Sequence, residues 1–236
     1  MNYFPLIVFA LLPSTIWLLY YLRKDTHPEP KKLILYVFLF GALSAGVGYL
    51  FQTKITPLFF SYVESLSLSL LFVIFFYRFI LIAFSEEFLK YLAFSFSIKG
   101  DKEVDEPIDF IVYMITAGLG FAALENFIIL SSLNIDVLGV VKVSFLRFVS
   151  GTLLHTLVSG IMGGFLAYAY RLNKKYIIFL GLLVVSFLHG IYNIIAERIE
   201  EGYFLIFFLV FFLLLLATLS FVIKKVKKLK SVSLLK

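Results

Sequence analysis

Apolar residues run through this chain in long blocks separated by short polar punctuation. Blocks at residues 3–22, 33–52, 76–98, 108–131, 144–170, 176–197 and 203–223 are each long enough to cross about 30 Å of hydrocarbon as a helix rising 1.5 Å per residue. Within each block the apolar character is continuous. That excludes the period-two alternation of a transmembrane barrel. The pattern predicts an all-α polytopic bundle of about seven spans. One further apolar stretch, residues 55–75, opens with "TKITP" and carries Glu64, Ser61, Ser65, Ser67 and Ser69. Three fates are open to it: lying in the interface, extending the third span, or forming an eighth span.

The informative positions are the polar ones that interrupt these blocks. In "ILIAFSEEFLKYLAF", residues 80–94, Glu86, Glu87 and Lys90 sit inside a lipid-length run. Three charges near the centre of a span cost roughly 8–10 kcal/mol on insertion scales, against about 5 kcal/mol recovered from ten apolar neighbours. This helix must therefore face other helices or water. Glu86 and Lys90 lie one turn apart and are expected to pair. Glu87, about 100° round the helix, is left without a local partner.

Other spans repeat the pattern. The fourth, "YMITAGLGFAALENFIIL", holds Glu125 and Asn126, with Gly118 and Ala122 forming a small step for close helix approach. The fifth, "FLRFVSGTLLHTLVSGIMGG", holds His155, with Arg147 two turns earlier. The sixth, "SFLHGIYNIIAERI", holds His189 and, one turn on, Asn193. Counted from the predicted boundaries, Glu86, Glu125, His155 and His189 all fall about 9–16 Å from the same edge of the membrane. A single histidine in a span usually makes only an interhelical hydrogen bond. Ionisable groups from four helices in one layer point instead to a functional polar centre.

Charge orients the bundle. With seven spans, 15 of the 21 Lys and Arg residues fall on the side of the C-terminus and three, Lys54, Lys142 and Arg198, on the other. The positive-inside rule then predicts an external N-terminus and a cytoplasmic C-terminus. An eighth span would reverse the first basic loop. The basic tail, residues 224–236, reads as an anchor on an anionic leaflet, so the net charge of +6 points to lipid and not to nucleic acid. The chain is 61% hydrophobic and 15% charged, which leaves room for one integral membrane domain over residues 1–236 and for no soluble module. The first block lacks a basic n-region and a cleavage site, so it reads as a retained span of a multi-pass cell-membrane protein.

Carboxylates beside imidazoles suit general-base activation of water and the holding of a divalent metal; both lead to hydrolysis. An asparagine and a histidine can donate to a developing oxyanion. Other intramembrane chemistries lack their residues. There is no H-E-x-x-H. Asp109 and Asp136 lie at span ends and cannot form an aspartate dyad. Neither Ser150 nor Ser159 sits in a G-x-S-G turn, and the absence of cysteine removes thiolate chemistry.

Four motifs occur in order on successive spans: "EEFLK", "GLGFAALEN", "RFVSGTLLH" and "LHGIYN". With the early loop "YLRKDTHPEP", they resemble the PrsW family of intramembrane proteases, and more distantly the CaaX-processing and bacteriocin-immunity proteases. The resemblance implies cleavage of a single-pass membrane protein, of the anti-sigma regulator type, toward the outer side. It implies Glu86 as the base or a ligand, tuned by Glu87 and Lys90. Glu125, His155 and His189 complete the centre, supported by Asn126, Arg147 and Asn193. One version places zinc or another divalent metal on His155, His189 and Glu125. The other is metal-free, with Glu86 and His155 activating water and His189 and Asn193 serving the oxyanion. A non-catalytic scaffold and a proton-coupled transporter are the alternatives outside proteolysis.

Overall fold

The computed structural model describes residues 3–23, 29–66, 68–98, 104–198 and 201–229. Residues 24–28 of the early loop motif, Ser67, Lys99, Lys102 and the tail from Lys230 to Lys236 lie outside them. The described chain is helical throughout: α1 (Tyr3–Leu22), α2 (Lys31–Glu64), α3 (Leu70–Phe75), a π-helical segment (Phe76–Phe84), α4 (Ser85–Ser97), α5 (Asp109–Ser132), α6 (Val137–Val149), α7 (Gly151–Leu172), α8 (Tyr176–Glu197) and α9 (Tyr203–Val226). Six helical stretches are long and apolar enough to cross a membrane: Phe4–Leu22, Lys31–Glu64, Asp109–Ser132, Val137–Leu172, Tyr176–Glu197 and Tyr203–Val226. The remaining expected span, the charged one, is the column made by α3, the π segment and α4. The protein is a multi-pass membrane protein.

Residues 55–75 divide between two helices, and of the fates open to them, extension of the third span holds for the last part, which runs directly into the π segment. Their first part continues α2 through Pro57 to Glu64, and their last part is α3, capped by Ser69, whose hydroxyl accepts from the Phe72 amide at 3.3 Å. Aromatic contacts hold the two extensions together, with Phe59 stacked on Phe76 at 5.7 Å and Phe60 against Tyr77 at 5.0 Å. The fifth span is not one helix either. It breaks at Ser150 (φ −124°, ψ −95°), so that α6 leans on α1 and α7 enters the core. The Ser144 hydroxyl donates to the Phe9 carbonyl at 2.6 Å and the Trp17 indole N–H to the Phe148 carbonyl at 3.1 Å, fixing that lean.

The core forms around α5, which packs against α1, α2, α4 and α7. Gly118 sets the approach of α7: a Cβ there would strike the Ser159 side chain. Leu119, Leu154, Leu157, Val158 and Met162 fill the interface with no exposure. The outer helices turn large apolar side chains outward, as lipid requires.

Candidate active site

The π segment delivers Glu86 and Glu87 to the bundle interior. Its i→i+5 turns are wider than α turns and re-phase the helix that follows; such segments gather at functional sites. Directly after it, Glu86, Glu87 and Lys90 are all buried, with Lys90 at 0% exposure.

Lys90 does not pair with Glu86 as the spacing suggested. Its ammonium donates to Glu87 Oε1 at 2.6 Å, lies 2.6 Å from His155 Nδ1 and sits 4.6 Å over the Phe121 ring. Glu87 Oε1 also meets His189 Nδ1 at 2.7 Å. The i,i+3 and i,i+4 spacings bring either carboxylate near the lysine, and the neighbours choose: the Glu87 side of α4 faces both histidines. Glu86 looks across to α2, where its Oε1 accepts from Gln52 Nε2 at 3.0 Å. Its Oε2 is buried without a hydrogen-bond partner, 3.7 Å from His189 Nε2.

Glu125 is paired with Arg147 and lies 3.0 Å from His155 Nε2. Arg147 Nε donates to Asn126 Oδ1 at 2.5 Å, and Asn126 Nδ2 reaches Thr152 Oγ1 at 3.1 Å and the Ala10 carbonyl at 3.3 Å. The helix break makes this possible. Arg147 folds back over Gly151, where a Cβ would stand 2.8 Å from the guanidinium carbon.

The two imidazoles meet edge to face, 5.3 Å apart at 81°. Their partners assign their protons. A lysine ammonium only donates and a carboxylate only accepts. His155 therefore accepts at Nδ1 and carries its proton on Nε2, toward Glu125. His189 carries its proton on Nδ1, toward Glu87, and keeps a free lone pair on Nε2 facing Glu86. A carboxylate behind a histidine in this way orients the ring and raises its basicity.

Two cavities reach this centre. One, of about 580 Å³, runs between α2 and α5 past Tyr49, Phe121 and Ile128 to Ser131 and Ser132. The other, of about 430 Å³, is polar; it is bordered by the Arg78–Glu197 ion pair and lined by Arg147, His155, His189, Tyr192 and Asn193. They share Gln52, Glu86 and Glu125. The acids and imidazoles of four spans thus stand on one cleft. Gln52 and Arg78 also belong to it, and no motif singled them out. Gln52 fell at the boundary of its block, where a polar residue is unremarked.

A divalent ion fits the donor set of this centre only if His155 releases Lys90 or Glu125, since both of its nitrogens are engaged. Glu86, His155 and His189 each offer a ligand atom, all within 4.8 Å of one another, and the unpartnered Glu86 Oε2 is among the atoms available. Glu125, the acid expected from sequence, is paired with Arg147 and also lies against His155 Nε2.

A sequence model described as the PrsW family intramembrane metalloprotease matches residues 29–219. The chain belongs to the PrsW family. It is 34% identical to Protease PrsW of Oceanobacillus iheyensis over 190 residues, covering 80% of this chain and 81% of the relative. It is 30% identical to Protease PrsW of Geobacillus kaustophilus, covering 86% and 84%, and 28% identical to that of Bacillus subtilis, covering 84% and 85%. No solved structure matches. As a PrsW-family protein the chain is an intramembrane peptidase, a hydrolase, and not the scaffold or transporter weighed above.

Proposed function

We propose that the protein is an endopeptidase that hydrolyses a peptide bond of a single-pass membrane protein, an anti-sigma-type regulator in the finer reading, with Glu86 as the base that activates water. The observation that carries the proposal is the state of Glu86. One oxygen is held by Gln52, and the other is buried, unpartnered and turned toward His189 where two cavities meet. A carboxylate in that state lacks a competing donor and has a water-sized space beside it.

In this reading Glu86 Oε2 takes a proton from water, the oxygen attacks the scissile carbonyl, and the same carboxyl returns the proton to the leaving amine. Glu87 holds His189 by its Nδ1 proton, and Lys90 holds His155 by Nδ1, so both rings keep their orientation. Asn193 and Arg147 line the cavity with N–H groups that stabilise a developing oxyanion. A divalent ion would be held by Glu86, His155 and His189, and would supply carbonyl polarisation and a more acidic water. The metal-free version draws support from His155, whose two nitrogens already have partners. The apolar cavity suits the membrane-embedded part of a substrate, and the polar one suits the part leaving the membrane.

Purified wild type, Glu86→Gln and His189→Ala, each assayed on a membrane-anchored reporter and analysed for bound metal, test the proposal. Glu86→Gln should stay folded and lose cleavage; cleavage retained by this variant removes Glu86 as the base. Wild type without bound metal that cleaves undiminished in chelator selects the metal-free version.

A further inference from the structure

We infer that Gln52, which lies outside all four motifs, is a positioning residue for Glu86; the inference rests on Glu86 being the base. Glu86 comes from α4 and Gln52 from α2, so their hydrogen bond, 3.0 Å long, spans the cleft. The amide is oriented by chemistry: an ionised carboxylate only accepts, so Nε2 faces Glu86 and the amide oxygen turns away. With Oε1 held, the carboxylate plane is set and Oε2 is the oxygen left toward His189 Nε2 and the cavities.

Two features make Gln52 suited to this work. It is a neutral donor, so it holds the acid without adding a cation that would pair with it and take up its remaining oxygen. It is also carried on an anchored helix. Gly41, Ala45, Gly48 and Gln52 follow one another on one face of α2, and that face is pressed on its neighbours. A Cβ at Gly41 would strike the Ala117 carbonyl of α5, and one at Gly48 would stand 3.3 Å from Leu89 of α4. The amide therefore sits at a fixed height relative to Glu86. Loss of an outer partner that orients a metal ligand lowers activity about 10- to 100-fold, and an effect on that scale is expected here.

The test compares Gln52→Leu and Gln52→Met with wild type on the membrane-anchored reporter, reading kcat, KM and melting temperature. Both remove the donor without adding charge, and Gln52→Met keeps the length of the unbranched side chain, so that two differently shaped variants test a folded protein. The expected result is a fall in kcat of about 10- to 100-fold, with KM and melting temperature held. A folded variant with wild-type kcat overturns the inference, as does a loss confined to KM, which would make Gln52 a substrate contact. Glu86→Gln run alongside separates the two claims. If it cleaves, the assignment of the base fails. If it is inactive while Gln52→Leu is fully active, only the positioning role fails.

Discussion

Helices α9 and α4 are two ways for a helix to live in a membrane. Helix α9 is apolar on every side, and turns Ile206, Leu213 and Leu214 outward with more than half of each side chain exposed. Its charges, Lys224 and Lys225, wait at the end. Its inner face packs by apolar contact alone, Leu219 and Val222 resting on Gly160 and Gly164 of α7, while its outer face needs no partner because lipid is as good a solvent for leucine as protein is. Helix α4 carries two carboxylates and an ammonium into the interior, and each is matched to a group on another helix: Glu86 to Gln52 of α2, Lys90 to His155 of α7, Glu87 to His189 of α8. The difference teaches where specificity resides. The apolar helix is interchangeable with many sequences, while the charged one is stable only inside this bundle.

Substitutions can break that contrast, and they order themselves by expected effect. Glu86→Gln should lower cleavage by about 10²- to 10⁴-fold, the range for a general base, with the protein still folded; turnover of a membrane-anchored reporter is the measurement. Lys90→Met leaves Glu87 buried without its cation. Unfolding in detergent should show a loss of roughly 3–5 kcal/mol, the cost of breaking a buried pair. Gly151→Ala pushes on the Arg147 guanidinium and so loosens its hold on Glu125 and Asn126. A destabilisation of about 1–3 kcal/mol is expected from overpacking, with cleavage reduced and the Glu86 side of the site untouched. Leu213→Ala on α9 should change stability by no more than about 0.5 kcal/mol, as for an exposed position, and leave cleavage unaltered. A large effect there would mean that the outward face of α9 has a packing partner, and the contrast with α4 would fall.

Much of the site was legible because charge inside an apolar block is costly. Glu86, Glu87, Lys90, Glu125, His155 and His189 stood out for that reason, and counting depth along each helix placed four of them in one layer. Pairing was not legible. Spacing alone joined Lys90 to Glu86, and the bundle joined it to Glu87, since a lysine on one helix face has two carboxylates in reach and only the surrounding helices distinguish them. The same holds for the acids around the imidazoles: Glu87 meets His189 at 2.7 Å and Glu125 meets His155 at 3.0 Å. Arg147 reaches Glu125 only because the chain breaks at Ser150, and nothing in an unbroken apolar pattern announces that break.

By itself the sequence determined that the protein is helical, that it crosses the membrane repeatedly, and which side chains are too polar to face lipid. Those properties follow from the transfer of individual residues between water and hydrocarbon, which each residue carries with it. Only the tertiary structure decided which acid meets which imidazole, which histidine nitrogen stays free, and that Gln52 reaches Glu86. These depend on helix phase, kinks and close crossings, and so on distances between residues far apart in the chain.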